Sequence, residues 1–162
     1  MTELAPGAVA PDFTLPRDGG GSISLSAMRG RPVVLFFYPK DDTEACTTEA
    51  KDFTAARADF EAAGVALVGL SPDPVKKHDK FVKKHELGVP LASDESLQTL
   101  EAYGVWKEKS MYGRTYMGVE RTTILVDAEG VIAEIWHKVK VKGHVEAVLE
   151  AAKKLYIFKA TV

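Results

Sequence analysis

One segment restricts the possible folds of this chain more than any other: residues 33–38 read Val-Val-Leu-Phe-Phe-Tyr and lie between Pro32 and Pro39. An uninterrupted run of β-branched and aromatic residues is typical of a strand that is buried on both faces. Residues 65–70 form a second run of this kind, Val-Ala-Leu-Val-Gly-Leu. The two segments predict a central sheet that is covered by helices on both sides.

The residues between these two strands predict a helix from about residue 44 to residue 63. Thr43 is a suitable N-cap residue, and Gly64 ends the helical pattern. Apolar residues that recur at intervals of seven share one face of such a helix. These residues are Cys46, Phe53 and Phe60.

The remaining elements are predicted from turn residues and from apolar periodicity. They are an opening hairpin formed by residues 11–16 and 22–25, helices at 74–85 and 96–103, a hairpin at 122–127 and 131–136, and a last helix at 144–155. Right-handed crossovers place helices on both faces of a mixed sheet. This is the element order of the thioredoxin-like α/β fold with an N-terminal β-hairpin extension, and we expect one domain over residues 1–162.

Composition and charge exclude several classes of function. A chain of 162 residues with a net charge of −2 and a pI near 6.1 has no global attraction to nucleic acid or anionic membranes. No apolar stretch approaches the roughly 20 residues that span a bilayer, and the first residues lack the pattern of a secretory signal. We therefore expect a cytoplasmic protein that binds neither nucleic acid nor a membrane.

Three further groups of residues carry weaker signals. Lysines crowd the second helix and are interpreted as a solvated face: Lys76, Lys77, Lys80, Lys83 and Lys84. The histidines lack metal-ligand spacing, and we expect His78 and His85 on one exposed face, so neither a metal nor a cofactor is predicted. A set of large apolar residues is expected to lie in one loop: Trp106, Met111, Tyr112, Tyr116 and Met117.

The strongest chemical signal is the only cysteine of the chain, Cys46. With Thr43 as the N-cap, Cys46 is the third residue of the helix, where backbone N–H groups have no helical partner. These groups and the positive end of the helix dipole favour a thiolate, which is the nucleophilic form of cysteine. A lone cysteine is more often a small buried apolar residue, so its position alone leaves both interpretations open.

The residues around Cys46 also match a known motif. Residues 38–49 read Tyr-Pro-Lys-Asp-Asp-Thr-Glu-Ala-Cys-Thr-Thr-Glu, which resembles the P-x-x-x-T-x-x-C active-site motif of the peroxiredoxins. The resemblance continues through residues 92–95, 103–109, 111–118, 121–123 and 143–144, and so covers nearly the whole chain. These segments look like the bacterioferritin-comigratory-protein or peroxiredoxin Q subfamily.

This resemblance implies a thiol-dependent peroxidase that reduces hydrogen peroxide and small alkyl hydroperoxides. It implies that Cys46 is the peroxidatic cysteine, that Thr43 is its hydroxyl partner and that Arg121 is the active-site arginine. Pro39 would then shield the pocket. Glu49 lies three residues after Cys46 on the same helix face and could orient Arg121, although a solvated glutamate in the first turn is an equal alternative.

Two positions depart from the family pattern. Relatives commonly have Pro-Gly before the cysteine, where this chain has Glu44 and Ala45. Many relatives carry a resolving cysteine five residues after the first, where this chain has Lys51. Because one cysteine cannot form an intramolecular disulfide, the resemblance implies a one-cysteine mechanism. An external thiol of the thioredoxin, glutaredoxin or glutathione type would then reduce the oxidised sulfur, and a monomer is expected.

Two other functions remain open on the sequence. A thiol–disulfide oxidoreductase of the same fold would need a C-x-x-C pair, but Thr43 stands where its first cysteine would be. A redox-silent binding or chaperone-like module would keep the fold without turnover, and the departures at Glu44, Ala45 and Lys51 leave this open. The rate at which peroxide reacts with the reduced protein distinguishes these alternatives.

Overall fold

A computed structural model describes the backbone of residues 4–161 and the side chains of residues 4–155. The first elements are β1 (Thr14–Pro16), β2 (Ser22–Ser24), β3 (Val33–Phe37), α1 (Glu44–Ala55), α2 (Arg57–Ala62), β4 (Ala66–Ser71) and α3 (Val75–His85). They are followed by β5 (Leu91–Ser93), α4 (Gln98–Ala102), β6 (Trp106–Met111), β7 (Arg114–Val119), β8 (Thr122–Val126), β9 (Ile132–Trp136) and α5 (His144–Thr161).

The central sheet has five strands in the order β5-β4-β3-β8-β9. Strands β3, β4 and β5 are parallel, whereas β8 and β9 are antiparallel to their neighbours. The strands β1 and β2 form a separate antiparallel hairpin. This is a thioredoxin-like α/β fold with a mixed central sheet and an N-terminal hairpin, and the predicted fold class is confirmed.

The central strand β3 divides the core into two layers. Val34 and Phe36 pack on one side of the sheet with Phe53 and Phe60, which belong to α1 and α2. The alternate residues of β3 pack on the other side, where they meet the N-terminal hairpin and α4: Val33, Leu35 and Phe37. All five residues of β3 are at most 2 % exposed, so the prediction of a strand buried on both faces is confirmed.

The prediction of a single helix between β3 and β4 is wrong, because the chain forms two helices there with a break at Ala56. The backbone there has φ −91° and ψ 0°, which interrupts the helical conformation. The Thr54 hydroxyl donates to the Ala50 carbonyl at 2.8 Å, an interaction that bends helices. The same oxygen accepts the Gly88 N–H at 3.0 Å, so the bend is also tied to the loop before β5.

The segment predicted as an apolar loop is instead a regular hairpin. Strands β6 and β7 pair antiparallel from Trp106↔Val119 to Met111↔Arg114. The large side chains of its outer half are exposed, from 45 % for Tyr116 to 97 % for Tyr112. In the part of the chain that the structure describes, no helix is long and apolar enough to cross a membrane.

Candidate active site

Cys46 is held where the central strand passes into the first long helix. It is the third residue of α1, after a loop that begins where β3 ends. The first helical hydrogen bond runs from the Thr47 N–H to the Thr43 carbonyl at 2.9 Å. The N–H group of Cys46 and those before it in the helix therefore have no acceptor within the helix. The side chain of Cys46 is only 2 % exposed, and it packs with the core residues of the α1 layer.

Arg121 binds Cys46 and Glu49 at the same time. One terminal guanidinium nitrogen donates to Cys46 Sγ at 3.2 Å, and the other donates to Glu49 Oε1 at 2.9 Å. The arginine precedes β8, which pairs with β3, and its side chain is 13 % exposed. Burial disfavours the cation, but Glu49 and Cys46 more than offset this effect and raise the pKa of Arg121. The structure therefore brings Cys46, Glu49 and Arg121 together.

Glu49 is a buried acid, not the solvated first-turn residue that the sequence left as an alternative. Its side chain is fully buried, and Oε2 has no hydrogen-bond partner among the described residues. Burial raises the pKa of Glu49 to about 7, although the charge of Arg121 acts in the opposite direction. Near neutral pH, one guanidinium is thus shared by the sulfur of Cys46 and by a carboxyl group that can gain or lose a proton.

Thr43 occupies the predicted N-cap position, but its hydroxyl does not cap the helix. The backbone is extended there (φ −90°, ψ 157°), and Oγ1 donates to the Lys40 carbonyl at 2.9 Å. The turn between them contains Asp42 with φ 60°, a left-handed conformation that aspartate tolerates better than most residues. Pro39 is half-buried at the start of this turn. The loop therefore places the Thr43 hydroxyl by a local turn rather than by helix capping.

The expectation that His78 lies on an exposed face is wrong. Its side chain is fully buried, and its ring contacts Asp41 and the Ala92 carbonyl. His85 does lie near the surface, where it contacts Asp42 at 2.7 Å. Helical periodicity could have identified the burial of His78, because Phe81 follows it by three residues and both face the core.

Two further basic residues near the site were not identified from the sequence. Burial and the charge of Arg121 lower the pKa of Lys109, on which the charge of Cys46 acts in the opposite direction. Burial and Arg121 also lower the pKa of His144 to about 4, and His144 Nε2 lies 2.8 Å from Thr123 Oγ1. Both residues are distant from Cys46 in the chain; they lie in segments that carry the family resemblance, but no role was assigned to them.

The chain matches a known protein family over most of its length. The profile of the AhpC/TSA family matches residues 6–135. The chain belongs to the AhpC/TSA family. Its relatives are peroxiredoxins: it is 48 % identical to the putative peroxiredoxin bcp of Coxiella burnetii, over 88 % of this chain and 95 % of that protein. It is 44 % identical to the peroxiredoxin Bcp of Bacillus subtilis, over 92 % of this chain and 95 % of that protein.

Solved structures agree with this assignment. A structure of Xanthomonas campestris peroxiredoxin Q has a TM-score of 0.85 at 44 % identity and covers 89 % of this chain and 91 % of that one. A structure of the bacterioferritin comigratory protein of the same organism has a TM-score of 0.85 at 43 % identity, over 89 % and 92 % of the two chains. This peroxiredoxin is thus an enzyme of the thiol-dependent peroxidase class. Within its described residues, no group of three or more His, Cys, Asp or Glu could hold a metal ion.

Proposed function

We propose that this peroxiredoxin reduces hydrogen peroxide and small alkyl hydroperoxides by a one-cysteine reaction at Cys46. The thiolate attacks one peroxide oxygen, the O–O bond breaks, and its electron pair leaves with the other oxygen, which takes up a proton as water or alcohol. Cys46 is thereby oxidised to a sulfenic acid. The observation that carries this proposal is the pair of hydrogen bonds that Arg121 donates to Cys46 Sγ and to Glu49.

Arg121 has two roles in the proposed reaction. Its charge stabilises the thiolate, and its N–H donors are available to the oxygen on which negative charge develops as the O–O bond breaks. Glu49 orients the guanidinium, since it binds the nitrogen that does not contact the sulfur. When Glu49 is protonated, the full positive charge of Arg121 acts on the thiolate alone.

Thr43 and Pro39 complete the proposed pocket. The Thr43 hydroxyl lies three residues before the sulfur, and its present bond to the Lys40 carbonyl could be exchanged for one to a peroxide oxygen. Pro39 has no backbone N–H to donate, and its proposed role is to shield the pocket, as the family resemblance implies. The structure of the Xanthomonas campestris relative was determined to study the alkyl peroxide reduction activity of that protein, which supports the choice of alkyl hydroperoxides here.

Turnover is proposed to depend on an external thiol. One thiol condenses with the sulfenic acid to give a mixed disulfide and water, and a second thiol releases Cys46 as the reduced residue. Candidate donors are thioredoxin, glutaredoxin and glutathione-type thiols. We further propose that the protein is cytoplasmic, because a single cysteine suits a reducing compartment. A monomer is proposed from the resemblance alone, since the subfamily includes monomers.

Single-turnover chemistry tests the proposal. One equivalent of peroxide should leave Cys46 as a sulfenic acid that dimedone traps, and an excess should carry it to sulfinic acid. Replacing Arg121→Lys keeps the charge but removes the two-nitrogen fork, and it should slow the peroxide step by about tenfold or more. The exposed Arg114→Lys is the matched control and should react like the wild type. An unmodified Cys46 after one equivalent, measured by mass spectrometry, would contradict the proposal.

A further inference from the structure

A second cluster of buried polar groups lies beneath the loop that leads to Cys46. The fully buried His78 has its ring nitrogens 2.6 Å from Asp41 Oδ2 and 3.0 Å from the Ala92 carbonyl oxygen. The Tyr38 hydroxyl donates to Asp41 Oδ1 at 2.6 Å. We name Tyr38, Asp41 and His78 the clasp, since they join the end of β3, the active-site loop and α3.

The clasp holds one proton more than a neutral imidazole and a carboxylate carry together. A carbonyl oxygen can only accept, so the His78 nitrogen that faces Ala92 carries a hydrogen. Tyr38 keeps its own proton, because burial raises its pKa well above 10. The 2.6 Å contact between His78 Nδ1 and Asp41 Oδ2 then requires a further proton, because two lone pairs would otherwise face each other.

The surroundings of the clasp retain this proton. Burial disfavours a charged His78, but Asp41, the Ala92 carbonyl and Asp73 together raise its pKa above 6.5. Asp73 also accepts the Asp41 backbone N–H at 2.8 Å. The cation that faces Asp73 from α3 is Lys77, at 3.7 Å and half exposed. The folded protein thus holds the proton at a pH at which a free histidine has released it.

The clasp is positioned to control access to the sulfur. Cys46 is only 2 % exposed, so an external thiol reaches it only after the chain around it has moved. Residues 39–46 are the loop and the first helical turn that carry the sulfur. On the outer side, this segment is held by Asp42, which contacts Lys84 and His85 at 2.7 Å each. Exposed pairs of that kind stabilise little. On the inner side, it is held by the buried, charge-assisted bonds of the clasp, which are stronger.

We propose that His78 is a positioning residue that holds residues 39–46 closed over Cys46 through the proton it shares with Asp41. Loss of this proton opens the segment to the external thiol. The proposal rests on the proposed function in one respect only, namely that the molecule entering the opened segment is an external thiol. Because a single proton is linked to closure, the fraction of open molecules rises with pH by at most about tenfold per pH unit above the pKa of the clasp.

Asp41→Asn is the decisive variant. Its amide oxygen can accept from Tyr38, and its amide N–H can donate to a neutral His78, so every hydrogen bond of the clasp persists without the extra proton. Closure should then remain, and its pH dependence should disappear. His78→Gln removes the titrating ring, and one amide group cannot span the two acceptors that the ring nitrogens reach.

Amide hydrogen exchange of residues 39–47 between pH 6 and pH 9, corrected for the intrinsic pH dependence, measures opening without peroxide or thiol. In the wild type, exchange should accelerate by about tenfold or more over this range. Asp41→Asn should stay slow throughout, and His78→Gln should be fast even at pH 6. In parallel, the sulfenic acid should react with dimedone in the same order of rates.

The matched control is His85→Gln, which makes the same replacement on the same helix at an exposed contact of the loop. It should keep the wild-type pH profile of exchange. A wild-type profile that is flat after correction, an equal slope in Asp41→Asn, or a slope lost in His85→Gln would each overturn the proposal. Because exchange needs no reaction, these outcomes are separate from a failure of Cys46 to react with peroxide, which would overturn the proposed function alone.

Discussion

Replacing Glu49→Gln is expected to stabilise this protein at alkaline pH and to leave its stability at acidic pH nearly unchanged. Glu49 is fully buried, and one of its oxygens has no partner among the described residues. Burial raises its pKa from 4.5 to about 7 despite the adjacent Arg121. Glutamine has the shape of the protonated acid and can still accept the bond from Arg121, so it reproduces the neutral form at every pH.

The size and sign of the effect follow from linkage between proton binding and folding. Between pH 4.5 and pH 7, the folded protein retains a proton that the unfolded chain has lost, so its stability falls as the pH rises. A shift of this size, at about 1.4 kcal/mol per pKa unit, amounts to roughly 3 kcal/mol once both states are ionised. For a chain of this length, that corresponds to an increase in Tm of about 10 °C for Glu49→Gln at pH 8.5.

Urea denaturation of the wild type and the variant at pH 4.5 and pH 8.5 measures the effect. The gain in unfolding free energy of the variant is compared between the two pH values, so that the contributions of the other titrating groups, which both proteins share, cancel. The exposed Glu44→Gln in the same helix is the control, and its effect should differ much less between the two pH values than that of Glu49→Gln. If the stability gain of Glu49→Gln were the same at both pH values, then Glu49 would titrate alike in the folded and unfolded states, and the argument would be refuted.

Three further perturbations have defined outcomes. Burial and Arg121 lower the pKa of His144 to about 4, so the unfolding free energy of the wild type should fall by about 3 kcal/mol between pH 6.5 and pH 4. His144→Gln should abolish this loss, which is measured by following the unfolding free energy as the pH is lowered. Gly69→Ala should destabilise by about 1–3 kcal/mol in urea, since the added Cβ would lie 2.7 Å from the Phe36 ring. Glu44→Pro combined with Ala45→Gly should speed amide exchange in the first turn of α1 and change the peroxide rate only modestly. The first substitution removes a favourable charge at the helix N-terminus, and the second lowers helix propensity.

Controls for these three perturbations exist in the chain. His137→Gln replaces a half-exposed histidine and should keep the acid loss of stability. Gly118→Ala places a Cβ at an ordinary 3.4 Å from Lys109 and should cost less than Gly69→Ala. Lys51→Ala, exposed on α1, should leave exchange in the first turn unchanged. The first argument fails if His144→Gln still loses stability at acidic pH, and the second fails if Gly69→Ala and Gly118→Ala destabilise equally. The third fails if amide exchange in the first turn is no faster in the double variant than in the wild type.

The features that could be predicted from the sequence are those with a local pattern. The apolar run in β3 identified the centre of the sheet, and Thr43, a residue type favoured at the N-cap position, identified the helix start. The motif around Cys46 and the isolated Arg121 were connected only through the family resemblance. The geometry then brought the two side chains to 3.2 Å, a distance that no spacing in the sequence encodes.

The features that were missed depend on contacts between distant segments. The break at Ala56 arises partly from the bond between Thr54 and Gly88, which lies outside any local window. The partners of His78, Asp41 and the Ala92 carbonyl, belong to other elements, so helical periodicity could have indicated its burial but not these contacts. For Glu49, the sequence allowed either a residue that orients Arg121 or a solvated one, since the two residues are 72 positions apart in the chain.

The central position of β3 also determines when the site forms during folding. On one side, β3 pairs with the nearby β4, but on the other it pairs with β8, where Val33 meets Val126. Cys46 and Arg121 are 75 residues apart in the chain, so their contact requires the closure of a long loop and is entropically slow to form. The first turn around Cys46 can wind early from local bonds, whereas its guanidinium partner arrives only when β8 joins the sheet. The contact between Cys46 and Arg121 therefore forms only when the later strands of the sheet are in place.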